Sequence, residues 1–73
     1  MPIKNHVREA RQAASLTQEA LAAQVGVTRQ SIIAIEQGKY GPSVKLALEL
    51  AAALGVRVED LFELEGGRER GRR

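Results

Sequence analysis

The sequence predicts a single all-α domain built from five short helices. Apolar residues recur at three- and four-residue intervals, and short breaks rich in glycine, proline or hydroxyl residues separate the segments. No stretch alternates in the manner of a strand. The apolar residues are mostly alanine, leucine, valine and isoleucine, with Tyr40 and Phe62 as the only aromatic side chains. This composition favours closely packed helices over strands.

The first three helices are delimited by their capping residues. The first is predicted from Ile3 to about Ala14. Thr17 caps the second helix, which stops at Gly26, and Thr28 caps the third, which ends near residue 37. The inward-facing residues of these helices are Ile3, Val7, Ala10, Ala14, Leu21, Ala22, Val25, Ile32 and Ile35.

Ser43 caps the predicted fourth helix, which extends to Leu54 and is closed by Gly55, and residues 58–62 form a short last turn. The fourth helix is apolar on nearly all sides, with Val44, Ala47, Leu48, Ala51 and Leu54 on one side and Leu46, Leu50 and Ala53 on another. A helix that is apolar on two sides is usually buried on both sides. A domain this small offers few partners of its own to cover the second side. We therefore expect a homodimer with an interface formed by Leu46, Leu50, Leu61, Phe62 and Leu64.

Composition excludes several classes of chemistry. Without cysteine the chain has neither a disulfide nor a thiolate metal site, and His6 is its only histidine. No nucleophile and base can be paired from these residues, so we expect no enzyme activity, no metal and no cofactor. The sequence has no apolar run long enough to cross a membrane, and we expect a cytoplasmic protein without a membrane partner.

The net charge of +2 comes from the C-terminal segment. Residues 65–73 contain four arginines and two glutamates, whereas residues 1–64 balance seven basic against seven acidic side chains. We predict a folded domain at 1–64 and a disordered basic tail at 65–73. Within the domain, the middle is basic (Arg29, Lys39 and Lys45) and the end is acidic (Glu59, Asp60 and Glu63).

The segment from Thr17 to Glu36, TQEALAAQVGVTRQSIIAIE, has the spacing of a helix-turn-helix. Ala22 is small where the two helices cross, and Gly26 accommodates the turn. The face of residues 28–37 that is left free consists of Arg29, Gln30, Ile33, Ala34 and Gln37. Arginine can fork onto guanine, glutamine can pair with adenine, and Ile33 and Ala34 can pack on thymine methyl groups.

The sequence resembles the Cro/phage-repressor type of helix-turn-helix domain, also called the xenobiotic-response-element family, over residues 4–62. The resemblance is carried by V-R-x-x-R (7–11), L-T-Q-E-x-L-A (16–22), G-V-T-R-Q-S-I (26–32), I-E-x-G-K-Y-x-P-S (35–43) and A-x-x-L-G-V-x-V-E-D-L-F (51–62). It implies a lambda-repressor-like fold with the helix-turn-helix at about 17–36. Within the family, the chain is most similar to short stand-alone regulators.

The resemblance also implies site residues. Arg29 and Gln30 would be the principal readers of the bases of a palindromic double-stranded operator, with Ala34 next. Gln18 would contact the DNA backbone and brace the recognition helix, and Lys39 and Tyr40 would lie along phosphates. Apart from the resemblance, we expect Ile33 among the base-reading residues because of its apolar side chain, and Thr28, Ser31 and Lys45 among the backbone contacts. A structural ion pair would join Arg11 to Glu36. The chain departs from the family at Ile33, where a small polar residue is usual, and at Ala14 and Ser15, which replace a turn containing glycine.

Two alternatives stay open at this stage. The same fold can serve as a protein–protein adaptor, although an adaptor has no need to keep the DNA-suited residues Gln18, Arg29, Gln30 and Lys39. The chain can also be the DNA-binding part of a longer regulator or antitoxin. The sequence indicates no small-molecule ligand.

Overall fold

The computed structural model describes residues 3–39 and 41–65 of the chain. Over these ranges the chain forms five helices and one two-stranded sheet. In chain order the elements are β1 (Ile3–Asn5), α1 (Val7–Ala13), α2 (Gln18–Val25), α3 (Arg29–Glu36), α4 (Val44–Leu54), α5 (Val58–Leu61) and β2 (Phe62–Leu64). The predicted five-helix fold is confirmed. The basic tail predicted at 65–73 falls, after Glu65, outside the described residues.

The two strands correct the expectation that the domain has none. β1 and β2 pair antiparallel, with Ile3 opposite Leu64 and Asn5 opposite Phe62. The first helix therefore begins at Val7 rather than Ile3, and Ile3 is about half exposed instead of buried. Each strand is three residues long and its partner lies at the other end of the chain, so no local pattern signals the pairing.

The predicted capping residues are confirmed. The hydroxyls of Thr17, Thr28 and Ser43 each accept the backbone N–H three residues further on, at 3.0, 3.2 and 3.1 Å. Each such cap contributes about 1 kcal/mol because it satisfies a donor that the helix itself leaves free. Gly26 ends α2 in the left-handed conformation with a φ of 75°, which glycine adopts without a Cβ clash.

Ser15 has the unusual backbone conformation of the α1–α2 turn. Its φ is 60°, and among the described residues it is the only non-glycine residue with positive φ. This is the turn where the sequence departs from the glycine that the family pattern usually has. The backbone keeps the left-handed turn, so serine carries the steric cost that glycine would avoid.

Asn5 connects three elements. Its side-chain N–H donates to the carbonyl of Ile35 in α3 at 3.0 Å, and its side-chain oxygen accepts the backbone N–H of Val7 at 3.2 Å. The β1–β2 sheet is thereby tied both to the start of α1 and to the last turn of α3. The sequence does not indicate this role of Asn5, because its two partners lie on different elements.

The core is formed by side chains from every helix. Six of them have almost no accessible surface: Val7, Leu21, Ile32, Ile35, Leu50 and Leu61. Burying a leucine or isoleucine side chain completely contributes about 1.5–3 kcal/mol. Ala22 of α2 and Ala51 of α4 are buried in the same cluster, and their small side chains let these two helices approach closely. The core therefore lies directly behind α2 and α3.

The prediction is wrong for two residues of the dimer interface. Leu50 and Leu61 are completely buried within the monomer and have no surface to offer a partner. The buried residues of α4 are Leu50, Ala51 and Leu54, which come from both of the predicted sides, whereas Val44 and Leu48 are 77% and 54% exposed. Both predicted sides look apolar in sequence, and the positions of the other helices decide which residues of each are buried. Leu46 and Phe62 pack against the core as half-buried residues, and Leu64 is exposed.

The C-terminal end carries two polar contacts. The Asp60 carboxylate accepts the backbone N–H of Arg57 at 3.1 Å, and this hydrogen bond, together with the nearby Arg57 side chain, lowers the pKa of Asp60. The only histidine, His6, has its Nε2 2.9 Å from the Glu63 carboxylate, and both side chains are partly exposed.

Membrane-spanning helices and clusters of metal ligands are both absent from the part of the chain that the structure describes. No helix within 3–39 or 41–65 combines the length and apolarity needed to cross a membrane. In the same ranges, no three histidine, cysteine or acidic side chains lie together in a way that could hold a metal ion.

Candidate nucleic-acid interface

The α2–α3 pair presents one face of α3 to solvent. Gly26 reverses the chain after α2, and the backbone N–H of Val27 returns to the carbonyl of Ala22 at 3.0 Å. Thr28 then starts α3, which turns the buried residues Ile32 and Ile35 toward the core. Since these two side chains fix the rear of the helix, its opposite face must project outward.

The predicted base-reading residues lie on this outward face. Arg29 and Gln30, at the start of α3, are exposed, while Ile33 and Ala34, one turn later, are half-buried. Arg29 and Gln30 therefore lie on the free face of α3, as the spacing of its apolar residues predicted. No ion pair joins Arg29 to another described residue, so its guanidinium is available to a ligand.

The residues predicted to contact the DNA backbone are in different environments. Thr28 and Ser31 lie 3.2 Å apart through their hydroxyls within the α3 cap. Lys39 is exposed, and Lys45 is exposed beside Glu49 at 3.4 Å. Tyr40 lies outside the described residues.

The predicted ion pair between Arg11 and Glu36 is present and largely buried. Arg11 Nε donates to Glu36 at 2.6 Å and Arg11 Nη2 donates at 3.3 Å, with side-chain exposures of 11% and 5%. The same carboxylate accepts the Gln18 amide N–H at 3.1 Å, and Arg11 Nη1 donates to the carbonyl of Leu16 at 2.9 Å. We call these four residues the Glu36 cluster.

The Glu36 cluster holds the parts of the site in a fixed relation. It joins the last turn of α1, the turn before α2, the first residue of α2 and the last residue of α3. Gln18 therefore braces α3, as the family resemblance implied, while remaining half-buried at the edge of the face. Charge-assisted hydrogen bonds in a site shielded from water are stronger than those of exposed pairs.

An open groove runs beside this cluster, and it contains a residue, Arg8, that the sequence did not indicate as part of the site. Its lining combines polar and apolar side chains from α1, α2 and α3: Arg8, Arg11, Thr17, Gln18, Ile33, Glu36 and Gln37. Arg8 is exposed there. Although Arg8 belongs to the V-R-x-x-R motif of residues 7–11, the sequence suggests no binding role for it, because it lies nine residues before the helix-turn-helix and approaches α3 only in the folded chain.

Together, the glycine turn, the buried rear of α3 and its exposed polar front define a helix-turn-helix DNA-binding domain. The chain matches the family model described as Helix-turn-helix over residues 7–61. It therefore belongs to the helix-turn-helix family of the Cro/phage-repressor, or xenobiotic-response-element, type, and it is a transcriptional regulator with a helix-turn-helix DNA-binding domain.

Relatives in archaea and bacteria span nearly the same length. The chain is 52% identical over 63 residues to an uncharacterized HTH-type transcriptional regulator of Methanocaldococcus jannaschii, covering 86% of this chain and 96% of the relative. It is 48% identical over 63 residues to the uncharacterized HTH-type transcriptional regulator YgzD of Bacillus subtilis, again covering 86% and 96%.

Two solved structures share the fold. The restriction-modification controller protein C.AhdI of Aeromonas hydrophila superimposes with a TM-score of 0.70 at 35% identity, covering 74% of this chain and 82% of that one. A hypothetical transcription factor from Neisseria gives a TM-score of 0.72 at 30% identity, covering 88% and 74%.

Proposed function

We propose that the protein binds a palindromic double-stranded operator as a homodimer and represses transcription there. In this proposal α3 and its flanks, residues 28–37, enter the major groove. The proposal rests above all on one observation. Arg29 and Gln30 are exposed at the start of a helix whose rear, at Ile32 and Ile35, is completely buried.

The side chains of this face suit the edges of bases. Arg29 presents two parallel N–H donors to guanine, and Gln30 offers one donor and one acceptor to adenine. Ile33 and Ala34 supply apolar surface for thymine methyl groups. Backbone contacts are assigned to Gln18, Thr28, Ser31, Lys39, Tyr40 and Lys45, which surround the base-reading residues in sequence.

The homodimer is supported by exposed apolar side chains on a small domain. A chain of 73 residues has a thin core, and association with a second copy reinforces such domains. Among the described residues, four large hydrophobic side chains are about half exposed or more: Ile3, Val44, Leu48 and Leu64. Leu46, Phe62 and Leu64 remain in the proposed interface. Two-fold symmetry would place two α3 helices about 34 Å apart, one turn of the duplex.

Selection of bound duplexes from a random pool tests this function. We expect a two-fold symmetric site, with half-sites separated by about one helical turn. If about six phosphates are contacted, log affinity falls against log salt with a slope near −5. A protein–protein adaptor would enrich no duplex, and a monomeric reader would enrich a single half-site.

Arg29→Ala then tests the base reader, with Arg57→Ala as the matched control. Arg57 is also an exposed arginine, but it precedes α5 and is distant in sequence from α3. We expect Arg29→Ala to weaken binding to the selected duplex by about 1–3 kcal/mol and to relax base preference at one position per half-site. Arg57→Ala should bind like wild type. Equal affinities for all three proteins would refute the assignment of Arg29.

A further inference from the structure

The groove beside the Glu36 cluster continues the exposed face of α3. Arg29, Ile33 and Gln37 are spaced four residues apart and so lie along one side of the helix. Two of them, Ile33 and Gln37, also line the groove, whose opposite wall includes Arg8 of α1. The row of α3 residues that begins with Arg29 therefore ends beside Arg8.

Arg8 supplies the uncompensated charge of this groove. The two other charged residues in its lining are Arg11 and Glu36, and they neutralise each other in a nearly buried pair. No ion pair joins Arg8 to another residue within 3–39 or 41–65, and its side chain is exposed. The groove thus carries one net positive charge on a planar group with several N–H donors.

We propose that Arg8 binds a backbone phosphate of the same duplex that α3 reads. A guanidinium suits a phosphodiester because it can donate two parallel hydrogen bonds to the phosphate oxygens. A strand that leaves the major groove along Ile33 and Gln37 then passes Arg8. This makes α1 part of the DNA interface, beyond the helix-turn-helix itself. The inference rests on the proposed function.

The test compares Arg8→Ala, Arg8→Lys and the control Arg57→Ala with wild type by fluorescence anisotropy. Each protein is titrated against the selected duplex and against an unrelated duplex of equal length over a series of salt concentrations. Circular dichroism melts confirm that the variants are folded, which is expected because Arg8 is exposed and alanine is favourable in a helix.

We expect Arg8→Ala to weaken binding to both duplexes by the same factor, about eightfold at 0.1 M salt, and to make the salt slope shallower by about 0.9, the value of one lost phosphate contact. Arg8→Lys should keep the wild-type slope because it keeps the charge. Arg57→Ala should match wild type. A loss confined to the selected duplex would make Arg8 a base reader and overturn the proposal.

The proposal for Arg8 would also be overturned if Arg8→Ala had the same DNA affinity and the same salt slope as Arg57→Ala. That result would leave the proposed function intact. Failure of the proposed function gives a different pattern, in which wild-type protein itself binds neither duplex. The two failures are therefore distinguishable in one set of titrations.

Discussion

Replacing Glu36 by glutamine should destabilise the fold far more than any exposed glutamate would. The substitution keeps the shape of the side chain but removes the charge that three N–H donors share, two from Arg11 and one from Gln18. The glutamine amide offers a single oxygen acceptor and brings its own N–H groups into the cluster. The Arg11 guanidinium is then left mostly buried without a countercharge.

The size of the effect follows from this burial. Removing one partner of a buried ion pair costs about 3–5 kcal/mol, because the remaining charge stays desolvated and unpaired. The core of a domain this small typically supplies about 3–5 kcal/mol in total. Glu36→Gln is therefore expected to leave the protein close to its unfolding midpoint at 25 °C. With a melting temperature shift of about 4–8 °C per kcal/mol, the expected loss is about 12–40 °C.

The measurement is urea unfolding followed by circular dichroism at fixed protein concentration. Glu49→Gln is the matched control, since Glu49 pairs with Lys45 at 3.4 Å but both side chains are exposed, at 41% and 84%. An exposed pair of this kind contributes about 0.3–0.5 kcal/mol. If Glu36→Gln destabilises the protein no more than Glu49→Gln does, the Glu36 cluster does not stabilise the fold as described.

Two further predictions concern the core and the first turn. Leu50→Ala should lower the free energy of unfolding by about 2–5 kcal/mol, because Leu50 is fully buried. Leu64 is 49% exposed, so Leu64→Ala should lower the free energy of unfolding by less than about 1 kcal/mol at low protein concentration. Similar losses for the two variants in urea unfolding would contradict the assignment of Leu50 to the core. Ser15→Gly should raise the free energy of unfolding by about 0.5–1 kcal/mol. Glycine adopts a φ of 60° without a Cβ clash, and this relief outweighs the greater conformational entropy of glycine in the unfolded chain. A lower thermal midpoint than that of wild type would contradict the strain assigned to Ser15.

Much of the fold could be predicted from the sequence because the signals are local. A hydroxyl residue before a helix and a glycine after it act within one turn of the backbone, so Thr17, Gly26 and Thr28 delimited the helix-turn-helix correctly. Exposure of Arg29 and Gln30 followed from the period of the apolar residues on the same helix. The pairing of Arg11 with Glu36 came from the family resemblance, since nothing local connects residues 25 positions apart.

The features missed are those that join distant parts of the chain. The β1–β2 sheet pairs residues 3–5 with residues 62–64, and strands this short carry no alternation of their own. Asn5 reaches Ile35, and Arg8 reaches the groove beside α3, only once the helices have packed. A polar residue with a remote partner looks like any surface residue in sequence.

The amino-acid sequence by itself determined where helices begin and end and which side of α3 is polar, because hydrogen bonding and side-chain period within one helix depend on neighbouring residues. Tertiary structure alone decided which apolar residues of α4 enter the core: it buried Leu50, Ala51 and Leu54 while exposing Val44 and Leu48. Hydrophobic attraction has no direction of its own. Where a helix has more apolar residues than the core can cover, the shape of the surrounding helices decides which of them are buried.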